Sequence, residues 1–169
     1  MSLLEVDYKP VKDYSKTAYP APAAGETFEM ADVEIFDAGT WRGDPYTEQD
    51  LDDMVSAFSA LKGKVDPPLK LGHAEAQKFI GQADGAPALG WVKELKRQGT
   101  KLLASFTGVP RALYDLIQKG AYRKRSAEVW WNFREPSTGQ VIRRALTGVA
   151  LLGADLPAVS TLEDMVALY

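Results

Sequence analysis

The sequence predicts an α+β protein, with an antiparallel or mixed β-barrel of about six or seven strands decorated by two or three helices. Two observations favour this fold class. Most strand-like segments come in neighbouring pairs joined by short turns rich in Gly, Pro, Ser or Thr, which is the pattern of β-hairpins. Only two or three segments repeat their apolar residues at helical spacing. Local hairpins favour antiparallel pairing over a doubly wound parallel sheet.

The start of the chain divides into an arm and a strand. Residues 1–26 contain three prolines and scattered Tyr and Lys residues, and we interpret them as an extended N-terminal arm. Residues 27–36 interleave apolar and polar side chains, with a slip in phase near Ala31. This pattern predicts a first strand that contains a bulge.

A helix is predicted between Thr47 and Leu61. Thr47 is suited to the N-cap, acidic residues follow it in the first turn, and apolar residues then repeat on one face. The short apolar stretch 69–71 comes next and runs into Gly72 and His73. It is followed by a polar loop, residues 74–88, and loops of that length in compact domains are often functional.

Two hairpins and a short helix are predicted in the second half of the chain. The short helix begins near Pro110 and ends at Gly120. The final segment, residues 160–169, has amphipathic spacing and is predicted to be a C-terminal helix. The predicted hairpins pair strand 89–97 with 101–109, and strand 123–133 with 140–152.

The composition restricts the chemistry that the chain can perform. The chain has no cysteine, which excludes disulfides, cysteine nucleophiles and thiolate metal sites. His73 is the single histidine, which argues against zinc catalysis because zinc sites use several Cys or His ligands. We therefore predict no cofactor and no metal. A catalytic site would have to use hydroxyls, carboxylates, amines and one imidazole.

Charge and hydropathy also restrict the partners. The net charge is −3, so the whole molecule has no general attraction to nucleic acid or to an anionic membrane. No apolar run approaches the roughly 18 to 20 residues that a bilayer-spanning helix needs. The first residues lack the basic start and apolar stretch of a secretory signal. The default expectation is a cytosolic location.

Three residues have the strongest case for chemistry. His73 follows a short strand and a glycine at the mouth of a long loop, which is a common place for catalytic groups. A serine acts as a nucleophile only with a base within hydrogen-bond reach, and His73 is the only imidazole. Ser126 and Glu128 are two apart on a predicted strand and should therefore share one face. On spacing alone, a packed histidine and an edge-strand serine are ordinary alternatives.

Four motifs occur in a fixed order along the chain: KLGH at 70–73, GWV at 90–92, VPRALYDLIQKGAYRKRSAEV at 109–129, and LTGVALLGADLPAV at 146–159. Together they resemble the prohead (capsid maturation) serine proteases of tailed phages, in particular the Mu-like branch. The resemblance covers roughly residues 30–160. It depends on the order and spacing of the motifs and not on any single one.

The resemblance implies a serine endopeptidase with His73 as general base and Ser126 as nucleophile. It implies a protease domain over residues 27–159 on a closed β-barrel related to that of the herpesvirus assemblins, and it implies self-association. The substrates would be the phage scaffold and the major capsid protein, cut inside the prohead in the host cytoplasm. Neither a membrane nor a specific nucleic acid is implied. The helix at 160–169 would lead into a scaffold segment beyond this chain.

The identity of a third catalytic residue stays open. Related proteases place an acidic residue on the strand after the serine. Pairing across the turn at 134–140 puts positions 147–148 opposite Ser126, and this chain has Thr and Gly there. Glu128 is the substitute candidate, Asp155 is the second, and a dyad without a third side chain is the remaining possibility.

The donors for an oxyanion are also open at this stage. The oxyanion of an acyl-transfer reaction needs preorganised hydrogen-bond donors. Arg143 and Arg144, or backbone N–H groups near the second hairpin, are the candidates. The alternative is that the two arginines belong to a solvated strand face.

Two other functions fit parts of the sequence. A capsid-assembly protein with an inactive protease fold would need neither His73 nor Ser126, and self-cleavage that depends on Ser126 would separate it from a protease. A module that grips single-stranded nucleic acid through charge and stacking would show salt-dependent binding to oligonucleotides. Its residues would be Arg123, Lys124, Arg125, Trp130, Trp131, Arg143 and Arg144.

Overall fold

The computed structural model describes residues 26–72, 87–154 and 156–165. These residues form eight strands and two helices, which confirms the α+β prediction. The elements in chain order are β1 (Thr27–Asp37), β2 (Gly39–Trp41), β3 (Asp44–Tyr46), α1 (Glu48–Leu61), β4 (Leu69–Leu71), β5 (Trp91–Gln98), β6 (Lys101–Pro110), α2 (Arg111–Gln118), β7 (Lys124–Arg134) and β8 (Val141–Leu152).

The first sheet has the strand order β1-β6-β5, and all its neighbours are antiparallel. The β5–β6 hairpin turns at Gly99, as the sequence predicts. β1 is bulged at several points along its pairing with β6. Asp32 lies within this irregular stretch with a φ of 53° and donates its backbone N–H to the Ser105 hydroxyl at 3.2 Å. The predicted strand and its bulge near Ala31 are therefore confirmed.

The second sheet has the strand order β4-β8-β7. β7 and β8 form the predicted antiparallel hairpin, whereas the three-residue strand β4 runs parallel to β8. A parallel partner cannot be joined by a tight turn, and here β5, β6, α2 and β7 lie between β4 and β8 in the chain. The sheet that carries Ser126 is therefore mixed.

Backbone hydrogen bonds link the two sheets along one side. The N–H of Leu69 donates to the Gly90 carbonyl at 2.9 Å, and the N–H of Leu89 donates to the Leu69 carbonyl at 2.8 Å. Pro68 and Trp91 form an isolated antiparallel bridge beside these bonds. The strand order can therefore be followed from β7 through β8, β4, β5 and β6 to β1. No closed barrel is found among the residues that the structure describes.

The two predicted helices are present. α1 begins with a capping box, in which the Thr47 hydroxyl accepts from the Asp50 N–H at 3.2 Å and the Asp50 carboxylate accepts from the Thr47 N–H at 2.7 Å. The apolar face of α1 packs against β8. α2 begins after Pro110 and buries Leu113 and Ile117. Both helices lie against the strands and contribute to the apolar core.

The C-terminal segment differs from its prediction. Residues 160–164 form turns and irregular backbone, not the first turn of a helix, and residues 166–169 lie outside the described part of the chain. Hydrophobic side chains of this segment nevertheless enter the core, because Leu162 and Met165 are buried. The packing therefore extends past residue 159, where the sequence suggests that the domain ends.

Other parts of the chain were either missed by the sequence or lie outside the described residues. β2 and β3 form a small hairpin that was not predicted, and Arg42 and Gly43 at its tip have φ values of 53° and 87°, as a tight primed turn requires. The predicted arm, apart from Glu26, and the predicted loop 74–88, apart from its last two residues, lie outside the described residues. Among the described helices, none is long and apolar enough to cross a membrane.

Candidate active site

Ser126 and Glu128 lie on β7, close to the start of the strand, and both are half-buried. Ser126 pairs with Ala150 of β8, and Glu128 pairs with Gly148. The ladder is regular between these two pairs, so the two side chains point to the same face of the sheet. The predicted common face of Ser126 and Glu128 is confirmed.

The predicted partner of Ser126 was wrong by two or three positions. The sequence places residues 147–148 opposite Ser126, whereas the structure places Ala150 there. The hairpin closes between Arg134 and Val141, and one extra residue of β8, Thr147, is inserted where the partner of β7 shifts between Glu128 and Val129. The Thr147 hydroxyl lies 3.2 Å from the Glu128 carbonyl oxygen and donates to it at this bulge. Counting back from the turn cannot anticipate such an insertion.

Lys70 joins this face from the other side of β8. Lys70 pairs with Ala150, so Lys70, Ala150 and Ser126 form one row across the three strands. Residues in register on neighbouring strands share a face. The Lys70 ammonium reaches over β8 and lies 2.8 Å from the Glu128 carboxylate oxygen Oε2. Sequence reasoning missed Lys70, although its place between Leu69 and Leu71 marks it as the one residue of β4 that points away from the core.

The floor between these polar residues consists of small side chains. Gly148 and Ala150 are the β8 residues that lie between Lys70 and the β7 pair. A Cβ atom built on Gly148 would approach Glu128 Oε2 to 3.0 Å and Lys70 Cε to 3.7 Å. A glycine inside a strand commonly marks the close approach of another group. Here it leaves room for the ion pair to cross the strand.

The opposite face of β7 is anchored in the core. Arg125, the residue before Ser126, is 1% exposed. Its guanidinium donates to the carbonyl oxygens of Glu34 on β1 and Glu163 in the C-terminal segment. Arg125 and Glu128 point to opposite faces of β7. Arg125 fixes the backbone that presents Ser126.

His73 and Asp155 lie outside the described residues, so their predicted roles stay predictions. The backbone that leads to His73 is described as far as Gly72, whose N–H donates to the Leu151 carbonyl at 2.9 Å. Leu151 pairs on its other side with Arg125, which precedes Ser126. β4 and β7 are separated only by β8, which corresponds to about 10 Å between their backbones.

The two arginines considered as oxyanion donors lie elsewhere. Arg144 pairs with Trp131, six residues along β8 from Ala150, which corresponds to about 20 Å along an extended strand. Arg143 forms ion pairs with Asp50 and Asp53 of α1 at 3.0 and 2.9 Å. Of the candidates that the sequence left open, these two side chains are not supported as oxyanion donors at Ser126, because both are directed at α1. Backbone N–H groups remain as candidates.

Most of the basic residues of the nucleic-acid alternative form ion pairs with acidic neighbours. Arg123 and Lys124 both form ion pairs with Asp164. Trp131 donates its indole N–H to the Tyr46 hydroxyl at 2.9 Å and carries the Arg144 guanidinium 3.5 Å above its ring. Trp130 is the strongly exposed member of the pair, at 60%. A surface that binds single-stranded nucleic acid by charge and stacking would need Arg and Lys side chains that are available to phosphate groups.

The chemistry open to this face is nucleophilic and acid–base chemistry. It combines a hydroxyl, a carboxylate and an ammonium group on one side of a sheet, with the only imidazole of the chain directly after Gly72. Within the described ranges, no three His, Cys, Asp or Glu side chains are grouped so that they could hold a metal ion. Comparisons with models of protein families, with curated proteins and with solved structures find no match to this chain.

Proposed function

We propose that this chain is the serine endopeptidase of phage capsid maturation, with Ser126 as nucleophile and His73 as general base. One observation carries the proposal. Ser126 is half-buried on a core-anchored strand, it shares a face with Glu128, and the strand that leads to His73 is paired within the same sheet. This pairing supports the proposal, because it holds two segments that are distant in sequence on either side of β8, and a nucleophile and its base have to meet.

The proposed reaction is acyl transfer to Ser126. The Ser126 oxygen attacks the carbonyl carbon of the scissile peptide while the His73 imidazole takes the hydroxyl proton. His73 then gives that proton to the leaving amine as the C–N bond breaks, which leaves an ester on Ser126. A water molecule attacks the ester with His73 again as base, and the acid product leaves. Glu128 would orient the imidazole and stabilise its charged form.

The finer fold that we propose is the closed, assemblin-like barrel. The backbone bonds between Leu69 and the 89–90 segment join the two sheets on one side. On the other side, the Arg125 guanidinium reaches from β7 to the Glu34 carbonyl of β1. These contacts support a ring in the order β7-β8-β4-β5-β6-β1, with side-chain contact where β7 meets β1. In such a ring the Ser126 face is the outer one, because the next residue of β7, Ala127, packs against the core together with its partner Val149.

The substrates and partners in this proposal follow from the resemblance. They are the phage scaffold and the major capsid protein, cut inside the prohead in the host cytoplasm, with self-association of the protease. A half-buried site on an outer sheet face is compatible with a polypeptide substrate, because an extended peptide can lie along such a face.

The proposal is tested by reaction with a fluorophosphonate. In this reaction the Ser126 oxygen bonds to phosphorus, fluoride leaves and the base takes the proton, so it reports the activated hydroxyl without knowledge of the substrate. We expect one adduct on the intact chain, located at Ser126 by peptide mass mapping, and none in Ser126→Ala. Ser105→Ala is the matched control, because Ser105 also lies on a strand and should not contribute. A wild-type chain that reacts no faster than Ser126→Ala would refute the proposal and favour an inactive, assembly-only protein.

A further inference from the structure

We propose that Lys70 is a positioning residue of the Ser126 site, which holds the Glu128 carboxylate in place through an ion pair that crosses β8 above Gly148. This role rests on the proposed function and assigns a further residue to it. Lys70 is the first residue of the KLGH motif, but the motif gives no sign of its contact with Glu128. The inference comes from the row that Lys70, Ala150 and Ser126 form across the sheet and from the 2.8 Å contact between Lys70 and Glu128.

Glu128 needs a partner if its carboxylate is to stay in one orientation. A glutamate side chain has several rotatable bonds, and it loses rotamer freedom when it is held. The strand beside it offers Gly148, which has no side chain, and Ala150, which has only a methyl group. Neither can restrict Glu128 sideways. Lys70, which reaches over the same floor from β4, supplies a directed contact to one oxygen of the carboxylate.

The burial of the pair separates it from an ordinary surface ion pair. The side chains of Lys70 and Glu128 are 21% and 23% exposed. Lys93 and Glu29 have the same 2.8 Å separation on the first sheet, but their side chains are 55% and 62% exposed. Exposed pairs are screened by water and contribute little, whereas partly buried pairs keep more of their attraction and direction. The two pairs therefore form a matched comparison within one chain.

The contact also defines what Lys70 does not do. An ammonium group that donates to a carboxylate at 2.8 Å is engaged as a hydrogen-bond donor. It therefore acts through Glu128 and does not take the proton of Ser126, so His73 keeps the role of base. This is why Lys70 is a positioning residue and not a second general base.

The test compares Lys70→Met, Lys70→Arg, Glu128→Gln and the double variant Lys70→Met/Glu128→Gln in the fluorophosphonate reaction. Methionine keeps much of the length of the lysine stem and removes its charge. We expect Lys70→Met and Glu128→Gln each to lower the rate of Ser126 modification by about tenfold to a hundredfold, since small misplacements of a catalytic group have effects of that size. The double variant should be no slower than the slower single variant, because both changes remove the same interaction. Lys70→Arg should recover most of the rate.

Lys93→Met is the matched control and should leave the rate unchanged, because it removes an ion pair of equal length elsewhere. Thermal unfolding of each variant ensures that the rates refer to folded protein. If Lys70→Met reacts at the wild-type rate while Ser126→Ala does not react, the positioning role is refuted and the protease proposal stands. Losses that simply multiply in the double variant would also refute it. A wild-type chain without any Ser126-dependent reaction would refute the protease proposal itself and the Lys70 role with it.

Discussion

The two ends of the β7–β8 hairpin use their polar residues in opposite ways. At the turn end, the buried Glu135 carboxylate accepts hydrogen bonds from the backbone N–H groups and hydroxyls of Ser137 and Thr138, at 2.6 to 2.9 Å. At the open end, Ser126 and Glu128 stand half-buried over a floor of glycine and alanine. The Thr147 bulge lies between the two ends.

The difference shows how one hairpin can combine stability with reactivity. The donors and acceptors at the turn end are paired with one another, and α1 covers the neighbouring strand, so that end has little capacity left for a ligand. The small residues at the open end leave Ser126 and Glu128 half-buried, and they leave room for the Lys70–Glu128 ion pair to cross β8. We therefore expect substitutions at the open end to change reactivity with little effect on stability, and substitutions at the turn end to do the reverse.

The largest expected effect is the loss of reactivity in His73→Gln. If His73 is the base, Ser126 has no other imidazole to activate it, and the rate of fluorophosphonate modification should fall by at least about a thousandfold. The unfolding temperature should change little, and circular dichroism should show an unchanged fold. A variant that keeps more than a tenth of the wild-type rate would show that another group takes the proton.

The second prediction concerns Gly148→Ala. The added methyl group meets the far end of Glu128 at 3.0 Å, so the carboxylate should move while the strands keep their pairing. We expect the rate of Ser126 modification to fall by about tenfold, with a change in the free energy of unfolding below about 1 kcal/mol.

Gly153→Ala is the control for Gly148→Ala. A Cβ atom at Gly153 makes only ordinary contacts, the nearest at 3.7 Å to Tyr122, and this variant should react at the wild-type rate. The opposite outcome is a Gly148→Ala variant that is strongly destabilised in chemical denaturation but whose folded molecules react at Ser126 at the wild-type rate. Gly148 would then serve stability, like the residues of the turn end.

The sequence predicted local structure well and the assembly of the open end poorly. The helix after Thr47, the bulged first strand and both hairpins follow from capping, periodicity and turn residues, which act over a few positions. The parallel pairing of β4 with β8 was not predicted, since nothing local in Leu69–Leu71 indicates a partner that lies some 80 residues away.

The same division applies to the candidate site: its local features were predicted and its tertiary contacts were not. The common face of Ser126 and Glu128 follows from the alternation of strand residues and was predicted. The Ala150 partner and the Lys70 contact depend on the Thr147 insertion and on the parallel strand, which are tertiary features. Gly148 did carry a usable sign, because a glycine within an apolar strand indicates a close approach. In the sequence analysis, Gly148 was considered only because related proteases have an acidic residue near this position.

The third prediction tests the turn end by pH. Hydrogen bonds from Thr138 and Ser137 lower the pKa of Glu135 from 4.5 to about 2. A carboxyl group whose pKa is lower in the folded state contributes stability that is complete above its unfolded value. That contribution should be lost as the pH falls from 4.5 towards 2. In Glu135→Gln this part of the pH dependence should disappear, and the variant should be less stable at neutral pH.

The measurement for Glu135 is the difference in unfolding temperature between wild type and Glu135→Gln across this pH range. Other carboxyl groups of the chain also titrate there, but they cancel in the difference. The difference should be largest at neutral pH and shrink as the pH falls. Ser126 modification at neutral pH should stay unchanged. A constant difference would show that Glu135 does not carry the stability of the turn through its charge.

The smallest effect is expected for Arg143→Ala. Arg143 is 54% exposed at its side chain, and Asp50 keeps Arg144 and the capping contacts of Thr47 when Arg143 is removed. The free energy of unfolding should fall by about 1 kcal/mol, because the Arg143 side chain is exposed to water although its partner Asp50 is buried, and chemical denaturation would measure it. The rate of Ser126 modification should not change, because Arg143 is directed at α1.

Loss of the Arg143 charge at the turn end would then affect only stability, whereas loss of the Lys70 charge at the open end affects reactivity. If Arg143→Ala slows Ser126 modification, Arg143 acts as an oxyanion donor after all. The turn end and the open end would then not differ in their roles.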